Sequence, residues 1–275
     1  MKRAIGVIDS GVGGLTVVSE LMRQLPKEKL IYVGDTARCP YGPRSKEEVQ
    51  QFTWEMVDFL FEKDIKMLVV ACNTATAFTL DSLKKHLSIP VIGVIQPGAR
   101  AAIKFTKNNC IGIIGTEGTI RSHAYTDALK NIKAELDIYA KACPMFVPMV
   151  EQGIMEGPKA IQVVKEALLP MMKQKQMDTL ILGCTHYPLL KSTIQSVVGA
   201  DVTLISSSEE TARETSTILE MQHLLNHTEV FPIHQFYTTG DLEMFMQISE
   251  RIFKERNLQM ITIKKAVLHQ MQDSK

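Results

Sequence analysis

Charge of one sign is scarce in this sequence. Its 31 lysines and arginines face 30 acidic residues, for a formal net charge of +1. That balance leaves no electrostatic footprint for nucleic acid or an anionic membrane surface. Long hydrophobic runs are also missing: none approaches the roughly 20 residues that span a bilayer. The stretch from Met1 to Gly14 is apolar only briefly and is broken by Asp9, so it does not read as a signal peptide. Cytoplasmic residence is the expectation. Cysteine is sparse and odd in number, at positions 39, 72, 110, 143 and 184, with no C-x-x-C pair. That excludes a disulfide framework, a zinc ribbon and a thioredoxin-like motif, and leaves any thiol chemistry to single cysteines. Neither G-x-G-x-x-G nor the lysine of a P-loop is present, and no lysine motif for pyridoxal stands out. The expectation is no cofactor and no metal.

What the sequence does have is 275 residues, 45% of them apolar, enough for two domains. Short, nearly all-apolar runs recur at Ala4–Asp9, Leu30–Asp35, Met67–Cys72, Val91–Ile95, Ile111–Gly115, Thr179–Cys184 and Val202–Ser206. Strands buried on both faces have this pattern. Helix-length segments separate most of them. Leu15, Val18, Met22 and Leu25 share a helical face that Pro26 terminates, and Ser45-Lys46-Glu47-Glu48 reads as a capping box opening a helix to about Lys63. Alternating strands and helices predict an α/β fold of mostly parallel sheets flanked by helices.

The chain also contains a diverged repeat. Gly6-Val7-Ile8-Asp9-Ser10 resembles Gly112-Ile113-Ile114-Gly115-Thr116, and Leu68–Thr74 resembles Leu180–His186, each of the latter pair ending in a cysteine followed by polar residues. One duplicated unit with loop-length drift makes two halves, whose strand ends face a common cleft if the halves oppose each other. Gln96-Pro97-Gly98 is read as the crossing into the second domain and Ser206-Ser207-Ser208 as the return. The first domain is then 1–96 plus 209–275 and the second is 97–208. The returning segment is expected to add a strand at His234–Gly240 and an edge strand at Met260–Val267.

Ligands of open α/β sheets bind at the carboxyl ends of strands. Those ends carry Asp9, Ser10, Asp35, Thr36, Cys72, Asn73, Thr74, Thr116, Thr119, Cys184, Thr185 and His186. A thiol where a strand meets a helix N-terminus is placed where thiolate is favoured. Cys72 and Cys184 fit that description, whereas Cys39, Cys110 and Cys143 are read as space-filling. C-x5-R is absent after both thiols, since Phe78 and Leu190 hold the arginine positions. A papain-like site needs one nucleophile and one base, and a redox pair needs sulfurs within disulfide reach. Two opposed acid/base groups flanking one carbon account best for the symmetry. One removes a proton and the other returns it to the opposite face, as racemisation and epimerisation require. The loop Gly11-Val12-Gly13-Gly14 either permits a tight turn only or lets Asp9 meet a substrate ammonium or orient a thiol. His186 is a candidate auxiliary beside Cys184, and Glu151 is in a loop able to reach it. The loop Asp35–Pro43, with Tyr41 and Gly42, either binds a ligand or simply turns.

These residues resemble the cofactor-independent glutamate racemases of the aspartate/glutamate racemase superfamily. The motifs are Gly6–Gly14, Asp35-Thr36 through Pro40-Tyr41-Gly42, Ala71–Ala75 and Leu182–Pro188, within a match from about Ala4 to Asp241. The resemblance implies glutamate enclosed between two pseudosymmetric α/β domains. It implies Cys72 and Cys184 as the acid/base pair, Asp9 assisting the first, and Glu151 and His186 the second. It further implies ligand contacts from Asp9, Ser10, Tyr41, Gly42, Asn73, Thr74, Thr116, Thr119, Thr185 and His186, and supply of D-glutamate for peptidoglycan. Glutamate in both configurations is the implied partner, and a homodimer is left open. Aspartate and hydantoin racemases, arylmalonate decarboxylase-like enzymes and a non-catalytic amino-acid-binding module are the rivals. The tail after about Arg256 is not distinctive.

Overall fold

The computed structural model describes residues 3–269 apart from 175 and 254–257. Readings that touch Met1, Lys2, Arg256 or the tail beyond 269 therefore fall wholly or partly outside the described residues.

The first sheet begins with β1 (Ala4–Asp9), whose six residues are all buried. Next come α1 (Leu15–Gln24), β2 (Leu30–Gly34), α2 (Lys46–Phe61), β3 (Ile65–Val70), α3 (Asn73–His86) and β4 (Val91–Gly93). α1 buries Leu15, Val18 and Met22 of the expected face, with Val17 and Leu21 beside them, and Leu25 just past its end is buried too. α2 opens on the expected capping box: the Ser45 hydroxyl accepts from Glu48 N–H at 3.1 Å, and the Glu48 carboxylate accepts from Ser45 N–H at 2.9 Å.

The chain crosses on α4 (Ile95–Phe105). Gln96-Pro97-Gly98 lies on this crossing. It forms the first turn of a helix, where proline has no N–H bond to lose. The second sheet follows as β5 (Cys110–Gly115), α5 (Glu117–Arg121), α6 (Ala124–Ile132), β6 (Asp137–Ala142), α7 (Phe146–Glu151), α8 (Gly157–Gln174), β7 (Thr179–Gly183), a 3-10 turn at Tyr187–Leu190, α9 (Lys191–Val198) and β8 (Thr203–Ser206). The return is α10 (Ser207–Met221), capped by Ser206. Then β9 (His234–Thr238), α11 (Leu242–Ile252) and β10 (Ile261–Lys265) rejoin the first sheet.

Strand order is β10-β9-β2-β1-β3-β4 in one sheet and β6-β5-β7-β8 in the other, with parallel pairing throughout. The runs β2-β1-β3-β4 and β6-β5-β7-β8 are the same arrangement, so the repeat seen in the sequence is a repeat of topology. Both sheets carry buried apolar clusters on both faces. β6 alone was not foreseen; none of its residues is fully buried, so it lacks the apolar run by which the other strands of its sheet are read. Among the described residues no helix is long and apolar enough to cross a membrane.

Candidate active site

The strands of interest stop short of the cysteines. β3 ends at Val70 and β7 at Gly183, so Cys72 and Cys184 stand just past equivalent strand ends. Cys72 is the N-cap of α3: its sulfur accepts from Ala75 N–H at 3.5 Å and lies 3.5 Å from the Ser10 hydroxyl. Burial pushes the Cys72 thiol up to about 12, and the Asp9 charge adds to that; the contacts with Ala75 N–H and Ser10 oppose it.

On the facing side, Cys184 Sγ lies 3.8 Å from His186 Nδ1, and His186 Nε2 lies 2.6 Å from Glu151 Oε1. Burial opposes protonation of His186, yet its contacts with Cys184, Cys39 and Glu151 outweigh burial and hold it well above the ordinary imidazole range. Glu151 is pulled the other way. Burial would raise it, but His186, Val12 N–H and Cys39 hold it below the usual carboxylate value. His186 and Glu151 therefore form a charged pair near neutrality.

Asp9, fully buried, accepts from Gly11 N–H at 3.0 Å and from the Thr185 hydroxyl at 3.1 Å. Burial raises it to about 6 against the pull of His186 and these donors. Its bond from Thr185 reaches across to the second half, and its bond from Gly11 stays within the first; with Cys72 it interacts through charge.

Hydroxyls and amides complete the surroundings. The Thr74, Thr116 and Thr119 hydroxyls form a buried triangle at 2.8, 3.1 and 3.1 Å that joins the two halves. Asn73 Oδ1 accepts from the Tyr125 hydroxyl at 2.8 Å, while its buried Nδ2 has no protein acceptor. The Tyr41 hydroxyl donates to Asp35 at 2.6 Å, and the Gly42 carbonyl accepts from Gly118 N–H at 2.8 Å. Ser10, Tyr41, Gly42, Cys72, Asn73, Thr74, Thr116, Cys184, Thr185 and His186, with Pro40 and Val147, line one narrow cavity of about 10 Å³, close to the space of one water. Asp9, Thr119 and Glu151 stand behind this lining. A larger cavity of about 670 Å³, bordered by Thr16, Lys104, Leu189 and Arg213, holds neither thiol.

The glycine loop is explained by close approach. A Cβ at Gly11 would come within 2.7 Å of Glu151 Oε1 and 2.9 Å of Cys39 Sγ, and one at Gly13 would collide with His186 and Thr185. The loop seats site side chains and presents no phosphate cradle. Cys39 packs against the apolar core of the second half, as read, but it is half-buried and its thiol also donates to Glu151 at 3.7 Å, so it belongs to the site's surroundings as well. The general tendency of cysteine to be buried hid this, although its loop was already singled out. Cys143 is core, as expected. Tyr125 and Val147 carried no sequence signal.

A family profile described as Asp/Glu/Hydantoin racemase matches residues 5–215. The chain is 70% identical over 266 residues to a glutamate racemase of Oceanobacillus iheyensis, covering 97% of each chain. Among solved structures, a glutamate racemase from Bacillus anthracis superposes with a TM-score of 0.91 at 54% identity, covering 98% of this chain and 99% of that one. The glutamate racemase from Francisella tularensis in complex with D-glutamate superposes with a TM-score of 0.88 at 35% identity, covering 98% of each.

Proposed function

The chain belongs to the Asp/Glu/Hydantoin racemase family, and we propose that it interconverts L-glutamate and D-glutamate with Cys72 and Cys184 acting on opposite faces of one Cα. The observation that carries this reading is the pairing of two buried thiols just past equivalent strands, β3 and β7, beside one cavity. From the L-face, a Cys184 thiolate takes the Cα proton while the Cys72 thiol delivers its own to the other face. Cys184 ends as thiol and Cys72 as thiolate, and the D-to-L direction reverses both roles. An imidazolium at His186, held by Glu151, supplies the positive charge a Cys184 thiolate needs. On the other side a Cys72 thiolate is supported by Ala75 N–H, the Ser10 hydroxyl and the N-terminus of α3. Asp9, raised to about 6, carries a charge that opposes that thiolate, and its protonation relieves the repulsion.

Carbon next to a carboxylate is a very weak acid, so charge developing on the carboxylate must be met by preorganised donors. Asn73 Nδ2 and the Ser10, Thr74, Thr116 and Thr185 hydroxyls are the candidates. No cofactor or metal enters this scheme. The product supplies D-glutamate for peptidoglycan, within a cytoplasm. The same proposal includes the domain division 1–96 plus 209–275 and 97–208. It also includes a homodimer, for which the exposed apolar residues Val230, Phe231 and Ile233 offer a surface.

Circular dichroism of L-glutamate incubated with the protein, without added cofactor, tests the activity. The signal should decay to zero, and in D2O the D-glutamate formed should carry deuterium at Cα. A stable signal with glutamate bound would instead indicate a binding module.

A further inference from the structure

Cys39 Sγ, Glu151 Oε1 and a ring nitrogen of His186 lie within 4.8 Å of one another, although Cys39 has no step in the proton transfer. Glu151 is 112 residues from Cys39 and 35 from His186, so no motif spacing announces the group. We propose that these three side chains form a site for a thiophilic divalent cation of the zinc type, whose occupancy arrests the reaction.

The donor set supports this ion class. Thiolate, imidazole and carboxylate together suit zinc and its borderline-soft neighbours, whereas magnesium and calcium take oxygen donors. Tetrahedral zinc with bonds of about 2.0–2.3 Å places its donors roughly 3.3–3.8 Å apart. The Cys39–Glu151 spacing of 3.7 Å already matches. The Glu151–His186 pair, at 2.6 Å, has to widen by under about 1 Å as a shared proton gives way to an ion. Cys39 and Glu151 are half-buried and His186 is buried, so the ion enters from the solvent side and meets the imidazole innermost. Residue 11 is glycine where any Cβ would crowd both Glu151 and Cys39. Val12 N–H, 3.4 Å from Glu151 Oε1, orients the carboxylate from behind. Three protein donors leave a fourth position to water.

Binding displaces the Cys39 thiol proton and the Nε2 proton of His186 to solvent, with no change of oxidation state. His186 is then fixed to the metal through the nitrogen that faced Glu151, and it can no longer present an imidazolium to Cys184. The ion is an inhibitor and not a cofactor. Inhibition rests on the role proposed for His186; binding does not.

Reduced, chelator-stripped protein is titrated with Co2+ as the spectroscopic substitute for zinc. One equivalent should bind, with a thiolate-to-cobalt charge-transfer band and tetrahedral visible absorption. Zn2+ should displace it and stop racemisation, and chelator should restore activity. Cys39→Ser should lose the charge-transfer band and bind Zn2+ at least about 10-fold more weakly. Its racemisation, taken as a fraction of its own zinc-free rate, should resist the zinc concentration that halves the wild-type rate. Glu151→Gln should keep the band and weaken affinity, which serves as the second probe if Cys39→Ser misfolds. No band in the wild type overturns the site. So does a band that survives in Cys39→Ser or vanishes in Cys72→Ser or Cys184→Ser, because the ion then sits on the catalytic thiols. Cobalt binding as expected without zinc inhibition would keep the binding site and remove the arrest.

Discussion

At the scale of single residues, the two thiols are alike in position and unlike in surroundings. Cys72 is a buried thiol pushed up to about 12, while Cys184 faces a charged His186–Glu151 pair. Each turnover needs one acid and one base, so either Cys→Ser change should cut racemisation by at least about 10²–10⁴-fold. With a β-substituted glutamate bearing a leaving group, only proton abstraction is required. Cys72→Ser should then retain elimination from the L-enantiomer and Cys184→Ser from the D-enantiomer. Equal loss of both in each variant would point to a single base. The His186–Glu151 pair makes a separate prediction, with its own sign. His186 is raised, so the stability it contributes is complete below about pH 6.5 and is lost as pH climbs through its folded value. Glu151 is lowered, so its contribution is complete above about pH 4.5 and is lost as pH falls through its folded value. Glu151→Gln should therefore lower Tm most between those limits and least in alkali. It should also move the alkaline limb of kcat/KM for L-glutamate to lower pH. A Tm difference that grows toward alkaline pH would refute the charged pair.

At the scale of elements, the most local signals were also the most readable. The Ser45–Glu48 box fixed the start of α2 because both partners are three residues apart. Ser45→Ala should cost about 1 kcal/mol in a denaturant titration, and no change would mean that α2 is held by packing alone. Pairings across the fold were not readable in this way. Lys66 and Glu28 form a buried ion pair at 2.6 Å whose members carry no mark in a chain of 30 acidic and 31 basic residues. Glu28→Ala takes the counter-charge from the buried Lys66 ammonium, which the Leu224 carbonyl also holds, and should cost about 3–5 kcal/mol. The same contrast runs through the site. Cys72 and Cys184 are legible because the repeat aligns them, whereas Cys39 has no counterpart in the repeat and nothing in its spacing points to Glu151. β6 was missed from its own residues. The repeat nevertheless held the information, since β5 must have a neighbour where β1 has β2.

At the scale of the molecule, the two sheets are joined by two crossings that pack on each other, α4 and α10, linked by the Arg100–Glu214 ion pair. Elsewhere the halves meet through side-chain packing and hydrogen bonds, including Thr16 to the Thr185 carbonyl at 3.2 Å and the threonine triangle. A cavity of about 10 Å³ between the thiols admits roughly a water and not an amino acid, so the halves must part for glutamate to enter. Closure then strips water from the reacting carbon, where electrostatic stabilisation is strongest. Amide hydrogen exchange can read this motion, because two backbone N–H groups donate across the gap. Gly118 N–H bonds the Gly42 carbonyl at 2.8 Å, and Val12 N–H bonds the Glu151 carboxylate at 3.4 Å. Ala71 N–H, bonded to the Ile8 carbonyl within one sheet at 2.9 Å, opens only when that sheet does. In the free protein Gly118 and Val12 should exchange much faster than Ala71, through the low-energy opening of the halves. Saturating D-glutamate should slow both while leaving Ala71 unchanged. If Gly118 and Val12 exchange as slowly as Ala71 without ligand, the molecule does not open about α4 and α10, and glutamate reaches the thiols by another route.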